Sequence, residues 1–460
     1  MMMPVLLLAC GGSESGGSAE PAAPPVPKTV SITDGKVVPA STASLVIEYD
    51  MDIVFNHLSK VQISQGEITS TEVQFNRKLV IGLSLSAGKS YTVTVPGDAV
   101  LGVFTKEYAE TFTVSFSTEK GADMADASKV SKSLTNPAAT AEARGLYALL
   151  LENYGRKQFS GAMGEVGWGT GFTDMIGETT GKYPAIVGFD YLHLPSSPSN
   201  WIDYGDITPV RKIWEAGSIP AMTWHWNVPV SESSDNTDFR ADNNNFKASN
   251  VLIEGTWENK VAVKDVEKLA GYLRLLQDAG IPVLWRPFHE AAGDYKWGSW
   301  FWWGNSGTEV TKKLWVWLRD KLTGEYGLNN LIWVWTVQTS SEGKPAPMSL
   351  LKDAYPGDDV VDIVGTDIYA DNTMSRQTDQ FAMLHDMVDG KKMVALTECG
   401  NLVDVDSAFS DGALWSFFMG WYEMNDAGKL GFFNWNTAGE WKKVLDNPLV
   451  LNRGDFSVRQ

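Results

Sequence analysis

The chain has 460 residues, of which 43% are hydrophobic and 20% are charged, so it can bury substantial cores in two or three domains. Its formal net charge is -18 at pH 7. Such a surface repels phosphate backbones and anionic lipid headgroups, which excludes nucleic acid as a partner and favours a neutral one. The cysteines are Cys10 and Cys399, and this low number excludes a disulfide framework.

Residues 1–27 predict a secretion signal and a flexible tether. A short apolar run ends in Leu7, Leu8, Ala9 and Cys10, and small residues and proline then dominate. The run resembles a bacterial lipoprotein signal, in which such a cysteine becomes the lipidated first residue, although no lysine or arginine precedes it. We therefore expect Cys10 to carry lipid and to anchor the protein in the cell envelope. No other segment has about 20 uninterrupted apolar residues, so no membrane span is expected.

Residues 28–118 predict an all-β sandwich. Short alternating runs such as SLVIEYDMDIVF and SYTVTVP are separated by turns rich in glycine, proline, serine and asparagine. The stretch LSAGKSYTVTVPGDAV resembles bacterial immunoglobulin-like modules, which usually act as spacers. Because no aromatic platform is apparent, a spacer is favoured over a sugar-binding module. The small and polar residues 119–136 predict a linker.

Residues 137–460 predict a (β/α)8 TIM barrel, in the part of the chain that contains all 19 tryptophans. Helical patterns such as DVEKLAGYLRLLQDAG alternate with short apolar runs. Eight runs are predicted as strands: QFSGAM, AIVGFDYL, IPAMTWHWN, IPVLWRPFHE, LIWVWTV, VDIVGTDIY, KMVALTECG and LGFFNWN. A doubly wound open sheet is the rival fold, but GAMGEVGWGTG only weakly imitates its glycine-rich phosphate turn.

Polar and aromatic side chains follow the apolar part of most predicted strands. They are Asp190, His225, His289, Glu290, Tyr369, Glu398 and Trp435. A barrel of this kind builds its active site at the carboxyl ends of its strands. We therefore expect these side chains to meet at one mouth of the barrel.

Two of these residues, Glu290 and Glu398, end the fourth and seventh predicted strands, which face each other across the barrel mouth. Glycoside hydrolysis needs two such carboxyl groups, one acid to protonate the leaving oxygen and one nucleophile or base. Helix capping or pairing with arginine is the alternative for either glutamate alone. The pair His289 and Glu290 does not fit a zinc protease, since Gly293 stands where the second histidine ligand would be. No metal or other cofactor is expected.

Several motifs together resemble glycoside hydrolase family 26, whose best-known members are β-mannanases. RPFHE followed by WFWWG is the most specific, and TWHWN, VGTDIY and LTECG occur in the right order between Pro137 and the C-terminus. The resemblance implies a retaining hydrolase that cleaves β-1,4-mannosidic bonds in mannan, glucomannan or galactomannan. Two other activities of the family, β-1,3-xylanase and mixed-linkage β-glucanase, stay open. A glycan-capturing lipoprotein that has lost catalysis is a third alternative.

The resemblance also implies roles for residues. Glu290 is the implied acid/base and Glu398 the implied nucleophile, whose pKa should be held low by Tyr369 or a nearby cation. His225 and His289 are implied substrate contacts. Trp435 resembles the platform under the sugar at the cleavage point. Asp190 is added to the candidate substrate-binding residues because it ends a predicted strand.

Aromatic residues downstream of Glu290 supply further candidates, because flat rings bind the apolar faces of sugars. Trp297, Trp300, Trp302 and Trp303 are predicted to bind substrate in this way. Trp302 and Trp303 should also desolvate Glu290 and so favour its protonated form. The intervening stretch AAGDYKWGS is longer than is usual in the family, and we expect it to carry specificity.

Overall fold

The computed structural model describes residues 22–39, 42–55, 60–119, 124–292, 300–341, 344–369 and 377–458. The chain divides into two compact units, Met1–Glu119 and Lys120–Gln460. Each unit has a hydrophobic core of its own. Among the described residues, we find no helix with the length and apolar character needed to cross a membrane.

The first unit is built from β-sheets, as predicted. Its strands are β1 (Pro27–Val30), β2 (Val37–Val38), β3 (Ser44–Tyr49), β4 (Ile53–Phe55), β5 (Gln62–Ile63), β6 (Glu67–Gln74), β7 (Lys78–Ser84), β8 (Ser90–Val95), β9 (Val100–Gly102) and β10 (Phe112–Thr118). One sheet has the order β1-β3-β7-β6 and another the order β2-β10-β8-β5, while β4 pairs with β9. Alternate residues of β3 and β8 are buried, as expected where one face of each sheet covers a core.

The second unit contains a closed barrel of eight parallel strands, which confirms the predicted (β/α)8 fold. In order around the barrel these strands are β12 (Gly161–Met163), β13 (Ile186–Asp190), β14 (Ile219–Thr223), β17 (Val283–Arg286), β18 (Leu331–Thr336), β21 (Ile363–Ile368), β22 (Met393–Cys399) and β23 (Phe418–Gly420). Every residue of these strands is buried, which explains their nearly continuous apolar sequences.

Helices and short strand pairs surround the barrel. The helices are α1 (Ala141–Asn153), α2 (Gly171–Thr180), α3 (Thr208–Glu215), α4 (Ala248–Val251), α5 (Trp257–Asp278), α6 (Thr308–Arg319), α7 (Met348–Ala354), α8 (Gln377–Met387), α9 (Val405–Ser410) and α10 (Ala438–Leu445). The remaining strands are β11 (Gln158–Phe159), β15 (Val228–Pro229), β16 (Thr237–Asp238), β19 (Ser340–Ser341), β20 (Lys344–Pro345) and β24 (Val450–Leu451). Capping threonines begin α1 and α5, where Thr140 and Thr256 accept backbone hydrogen bonds.

The eighth barrel strand differs from the prediction. LGFFNWN was predicted as this strand, but β23 fills the position and residues 430–436 form a loop beyond it. The backbone N–H groups of Phe433 and Trp435 donate to the carboxylate of Glu423 and not to a neighbouring strand. In LGFFNWN apolar residues precede polar ones, as at the end of a barrel strand, which explains the wrong prediction. The segment is a loop that the side chain of Glu423 holds in place.

Residues 124–136, the part of the predicted linker 119–136 that the structure describes apart from Glu119, pack against the barrel unit. Val130 and Leu134 are buried in the barrel core, and the N–H of Thr135 donates to Asp362 Oδ1 over 2.7 Å. The predicted start of the barrel domain at residue 137 is therefore too late. The polar composition of the segment suggested a linker without packing contacts. A few spaced apolar side chains, such as Val130 and Leu134, are enough to fix an irregular segment against a core.

Candidate active site

Most predicted site residues meet at the carboxyl ends of the barrel strands. Glu290 follows β17, the fourth strand, and Glu398 lies in β22, the seventh. Asp367, near the end of β21, completes a group of three buried carboxylates. One oxygen of each lies within 4.8 Å of the others. The fold therefore brings the two glutamates together across the barrel mouth.

A bulge in β22 orients Glu398. Thr366 pairs with Leu396, but the next residue of β21, Asp367, pairs with Glu398, so Thr397 is an extra residue in β22. A bulge of this kind changes the direction of the side chains that follow it. It places the carboxyl groups of Asp367 and Glu398 side by side at the mouth.

A buried arginine joins these two carboxylates. Arg286 Nη1 donates to Asp367 Oδ2 over 2.9 Å, and its Nη2 donates to Glu398 Oε1. The Tyr369 hydroxyl donates to the other oxygen, Glu398 Oε2, over 2.6 Å. Both oxygens of Glu398 thus have donors that stabilise the charged form. Sequence reasoning assigned no role to Arg286, although it begins the RPFHE motif and ends a barrel strand.

The pKa of Glu398 results from opposing effects. Complete burial raises it, Arg286 and Tyr369 lower it, and the neighbouring Asp367 raises it again, which gives a pKa of about 7. The expectation of a low pKa is therefore wrong, because desolvation outweighs the donors. Ionised Glu398 is still the form that the arginine and the tyrosine bind.

The acid/base candidate Glu290 lies on a strained turn. Phe288 has φ 51° and Glu290 has φ 53°, so both adopt the left-handed conformation that side chains with a β-carbon rarely take. Strain of this kind persists only where surrounding contacts enforce it, and it concentrates at functional sites. Trp300 supplies one such contact, since its indole Nε1 donates to Glu290 Oε2 over 2.6 Å.

The environment of Glu290 favours its protonated form. Burial raises its pKa well above the ordinary value, and the charges of Asp367 and Glu398 raise it further. Its hydrogen-bond donor Trp300 is neutral, whereas Glu398 contacts the cationic Arg286. Glu398 therefore ionises first, and Glu290 retains its proton. An acid and a nucleophile require two carboxyl groups whose environments favour opposite protonation states, as these two environments do.

Two histidines and an aspartate form a buried chain beside the glutamates. Asp190 Oδ2 lies 2.5 Å from His225 Nδ1, and His225 Nε2 lies 3.0 Å from His289 Nε2. His289 Nδ1 in turn lies 3.3 Å from Thr223 Oγ1. Asp190 has no exposed surface, so its prediction as a substrate-binding residue is wrong. It orients His225, whose side chain is 14% exposed.

The pKa values of the two histidines shift in opposite directions. Burial lowers the pKa of His225, but Asp190 outweighs it and the net shift is upward. Burial and the neighbouring His225 hold the pKa of His289 well below its usual value. When His225 is protonated it can donate to both Asp190 and His289, and neutral His289 can then donate to Thr223. His225 is therefore the more basic of the two histidines.

Trp302 and Trp303 do not line the cleft. Both are fully buried, so the prediction that their faces bind sugar is wrong. The indole of Trp302 donates to the backbone oxygen of Trp226 over 2.8 Å, and that of Trp303 donates to the oxygen of His289 over 2.9 Å. Their role is therefore to pack against and stabilise the strained turn of residues 288–290. Trp300, which is 38% exposed, is the accessible tryptophan of this run.

Trp435 is half-buried and lies next to the end of β22, the strand that carries Glu398. Its ring is 5.8 Å from that of Tyr369, and a β-carbon on Gly400 would come within 2.5 Å of it. Only glycine therefore allows Trp435 to approach the strand end this closely. Its predicted role as a sugar platform stays a prediction. The predicted residues Trp297 and Cys10 lie outside the described residues.

Sequence reasoning missed Glu423, which fixes the loop that carries Trp435. Its carboxylate is buried and accepts hydrogen bonds from the backbone N–H groups of four successive residues, Phe433, Asn434, Trp435 and Asn436. A carboxylate has enough lone pairs for all four donors. One buried side chain thereby determines the position of a whole loop.

We expect Glu423→Gln to weaken substrate binding more than it slows the chemical step. An amide has one acceptor oxygen, so even when that oxygen keeps the donors of Oε2, the N–H of Asn436 loses its acceptor and faces an NH2 group, at a cost of about 1–3 kcal/mol. The displaced Trp435 should raise KM about tenfold, with a smaller change in kcat. Steady-state kinetics on a soluble oligosaccharide measures this. Glu440→Gln, in the adjacent helix cap, is the control and should leave KM unchanged.

Comparison with known proteins agrees with the geometry. The profile of glycosyl hydrolase family 26 matches residues 135–455, well over half of the chain. Mannan endo-1,4-beta-mannosidase A of a Piromyces species is 32% identical over 428 residues, which cover 89% of this chain and 64% of that protein. A mannan endo-1,4-beta-mannosidase of Thermothelomyces thermophilus is 34% identical over 332 residues, 70% of this chain and 63% of that protein. The chain thus spans less than two thirds of either relative.

Solved structures show the same likeness. The family 26 domain of an endo-beta-mannanase/endo-beta-glucanase from Prevotella bryantii is 37% identical, with a TM-score of 0.64 over 72% of this chain and 100% of that one. A beta-mannanase from a symbiotic protist of the termite Reticulitermes speratus, solved with gluco-manno-oligosaccharide, is 34% identical, with a TM-score of 0.61 over 71% of this chain and 98% of that one. With the profile match, these likenesses show that the chain belongs to glycosyl hydrolase family 26.

Proposed function

We propose that the protein is a retaining glycoside hydrolase that cleaves β-1,4-mannosidic bonds in mannan, glucomannan or galactomannan. The observation that carries this proposal is the close pair of Glu290 and Glu398, which have carboxyl oxygens within 4.8 Å of each other. Carboxyl groups about 5–5.5 Å apart are typical of retaining enzymes, whereas inverting enzymes need about 6.5–9.5 Å to admit a water molecule. The names of the relatives support the choice of mannan.

The proposed reaction uses the two carboxyl groups in succession. Ionised Glu398 attacks the anomeric carbon while Glu290 gives its proton to the departing glycosidic oxygen. The new bond removes the charge of Glu398, which had raised the pKa of Glu290, so Glu290 can remain ionised. It then takes a proton from water, which attacks the anomeric carbon and releases Glu398. The proton returns to Glu290, and one water molecule has been consumed per bond.

A panel of polysaccharides tests the proposed activity. We expect purified protein to release reducing ends from galactomannan, and Glu398→Gln to release none. Release of reducing ends from β-1,3-xylan or barley glucan, but not from galactomannan, would instead identify the protein as a β-1,3-xylanase or a mixed-linkage β-glucanase. No release from any of these or from laminarin would refute the enzyme and favour a glycan-capturing protein.

We also propose that Cys10 carries a lipid anchor in the cell envelope and that the first unit is an immunoglobulin-like spacer. The sequence LLLAC and the two four-stranded sheets of the first unit support this. Mass spectrometry of the mature amino-terminal peptide tests the anchor. A peptide that begins at an unmodified residue other than Cys10 would contradict it.

A further inference from the structure

Two phenylalanines of the first unit are almost fully exposed. Phe75 is 85% exposed and Phe104 is 81% exposed, while the other described phenylalanines of the unit face or border its core. A single exposed apolar residue is ordinary, but neighbouring ones mark a contact surface. Their positions in the fold place both phenylalanines on the same surface of the unit.

Both phenylalanines lie on turns at one end of the sandwich. Phe75 lies in the turn between β6 and β7, where Asn76 O accepts a 2.7 Å hydrogen bond from the N–H of Ile53. Phe104 lies in the turn after β9, where the N–H of Val103 donates to Asp52 O over 2.9 Å. Both turns therefore flank residues 51–53. We call this end, with Phe75 and Phe104, the phenylalanine tip.

The amino-terminal segment joins the unit at the same end. Val26 and Asp50 exchange two hydrogen bonds of 3.0 Å, so the chain from Cys10 arrives beside residues 51–53. The 16 residues that follow Cys10 up to Val26 have the composition of a flexible tether, for which about 20–25 Å is the expected end-to-end distance. A lipid on Cys10 would therefore hold the phenylalanine tip close to the membrane.

The chain leaves the unit at the opposite end. Strand β7 starts just after the Phe75 turn and ends at Ser84, about 20 Å away for seven residues. The N–H of Thr118, the last residue of β10, donates to Lys89 O in the turn that follows β7. The phenylalanine tip thus lies at the tether end, one strand length from the point where the chain continues to the barrel.

We propose that the phenylalanine tip inserts into the lipid bilayer to which the Cys10 anchor attaches, an inference that rests on the proposed anchor. Phe75 and Phe104 lie on turns and are each more than four fifths exposed, so they protrude from the unit and can enter a bilayer more readily than they can line a sugar-binding groove. Phenylalanine also lacks a polar group with which to select a sugar hydroxyl. Arg77 Nε pairs with Asp52 over 2.7 Å. The other charges of this end are Asp50, Lys106 and Glu107, so it carries no excess of basic residues. Apolar contact drives the insertion, and zwitterionic lipid suits it best.

Co-sedimentation with zwitterionic phosphatidylcholine vesicles tests the proposal. The full chain carrying Cys10→Ala removes the lipid anchor from the measurement. We expect this chain to bind vesicles weakly, and Phe75→Ser to weaken its partitioning about tenfold, as does Phe104→Ser. The double variant should fall to background. Val37→Ser is the matched control, because Val37 is 56% exposed but pairs with Ser117 near the opposite end.

Three results would overturn the insertion. The chain with Cys10→Ala could fail to sediment with vesicles, the double variant could sediment equally well, or the double variant could lose binding to insoluble mannan instead, which would make the tip a glycan platform. Hydrolysis of soluble galactomannan is measured in parallel and should not change in any variant. If the proposed hydrolase activity is wrong, only the galactomannan assay shows it. If the proposed lipidation is wrong, only the mass of the amino-terminal peptide shows it.

Discussion

Glu398→Gln should abolish hydrolysis of every substrate, with a loss in kcat on the order of 10⁵-fold, comparable to the loss of other covalent nucleophiles. The amide cannot attack the anomeric carbon, although it preserves the shape of the side chain between Arg286 and Tyr369. The fold should survive, since the barrel core does not depend on this charge. Hydrolysis of galactomannan and of an aryl mannoside measures the loss.

A trapping experiment and a control make this prediction specific. A 2-fluoro mannoside with an activated leaving group slows the second step, so wild-type protein should gain the mass of one sugar on the peptide that contains Glu398. Glu258→Gln alters a buried glutamate at the start of α5 and should retain full activity per folded molecule. A label on another residue would contradict the assignment of Glu398.

Glu290→Ala should lose activity on mannan but keep turnover on aryl mannosides whose leaving group needs no proton. The pH profile provides a second readout. Wild-type activity requires ionised Glu398 and protonated Glu290. It should therefore fall as pH drops through the pKa of Glu398, about 7, and fall on the alkaline side as Glu290, whose pKa is also raised, loses its proton. Removal of Glu290 should abolish the alkaline fall and keep the acidic one.

Azide provides the control for Glu290→Ala. This small anion can occupy the space left by the carboxyl group and attack the glycosyl-enzyme without a general base. It should therefore accelerate the variant on activated substrates and have no effect on wild-type protein. An equal loss on mannan and on activated substrates, with no effect of azide, would contradict the acid/base role.

The barrel and its two glutamates were predictable because each depends on local sequence. Parallel strands buried on both faces are short apolar runs, and seven of the eight predicted runs overlap a barrel strand. Functional side chains follow such runs because the carboxyl ends of the strands form the mouth. The positions of Glu290 and Glu398 follow from strand order alone.

The surroundings of the glutamates were not predictable in this way. Trp302 and Trp303 lie in the same aromatic run as Trp300. The chain turns there, so Trp302 and Trp303 are buried while Trp300 stays partly exposed. Arg286 acts on partners 81 and 112 residues away, which only the closed barrel brings together. Glu423 acts through a loop geometry that has no recognisable local sequence pattern.

The anomeric form of the first product tests the central claim most directly. Proton NMR during hydrolysis of manno-oligosaccharides distinguishes the two anomers before they interconvert. Retention through a glycosyl-enzyme on Glu398 predicts that the β-anomer appears first and then converts to the equilibrium mixture. Initial release of the α-anomer would show inversion and contradict the assigned roles of Glu290 and Glu398.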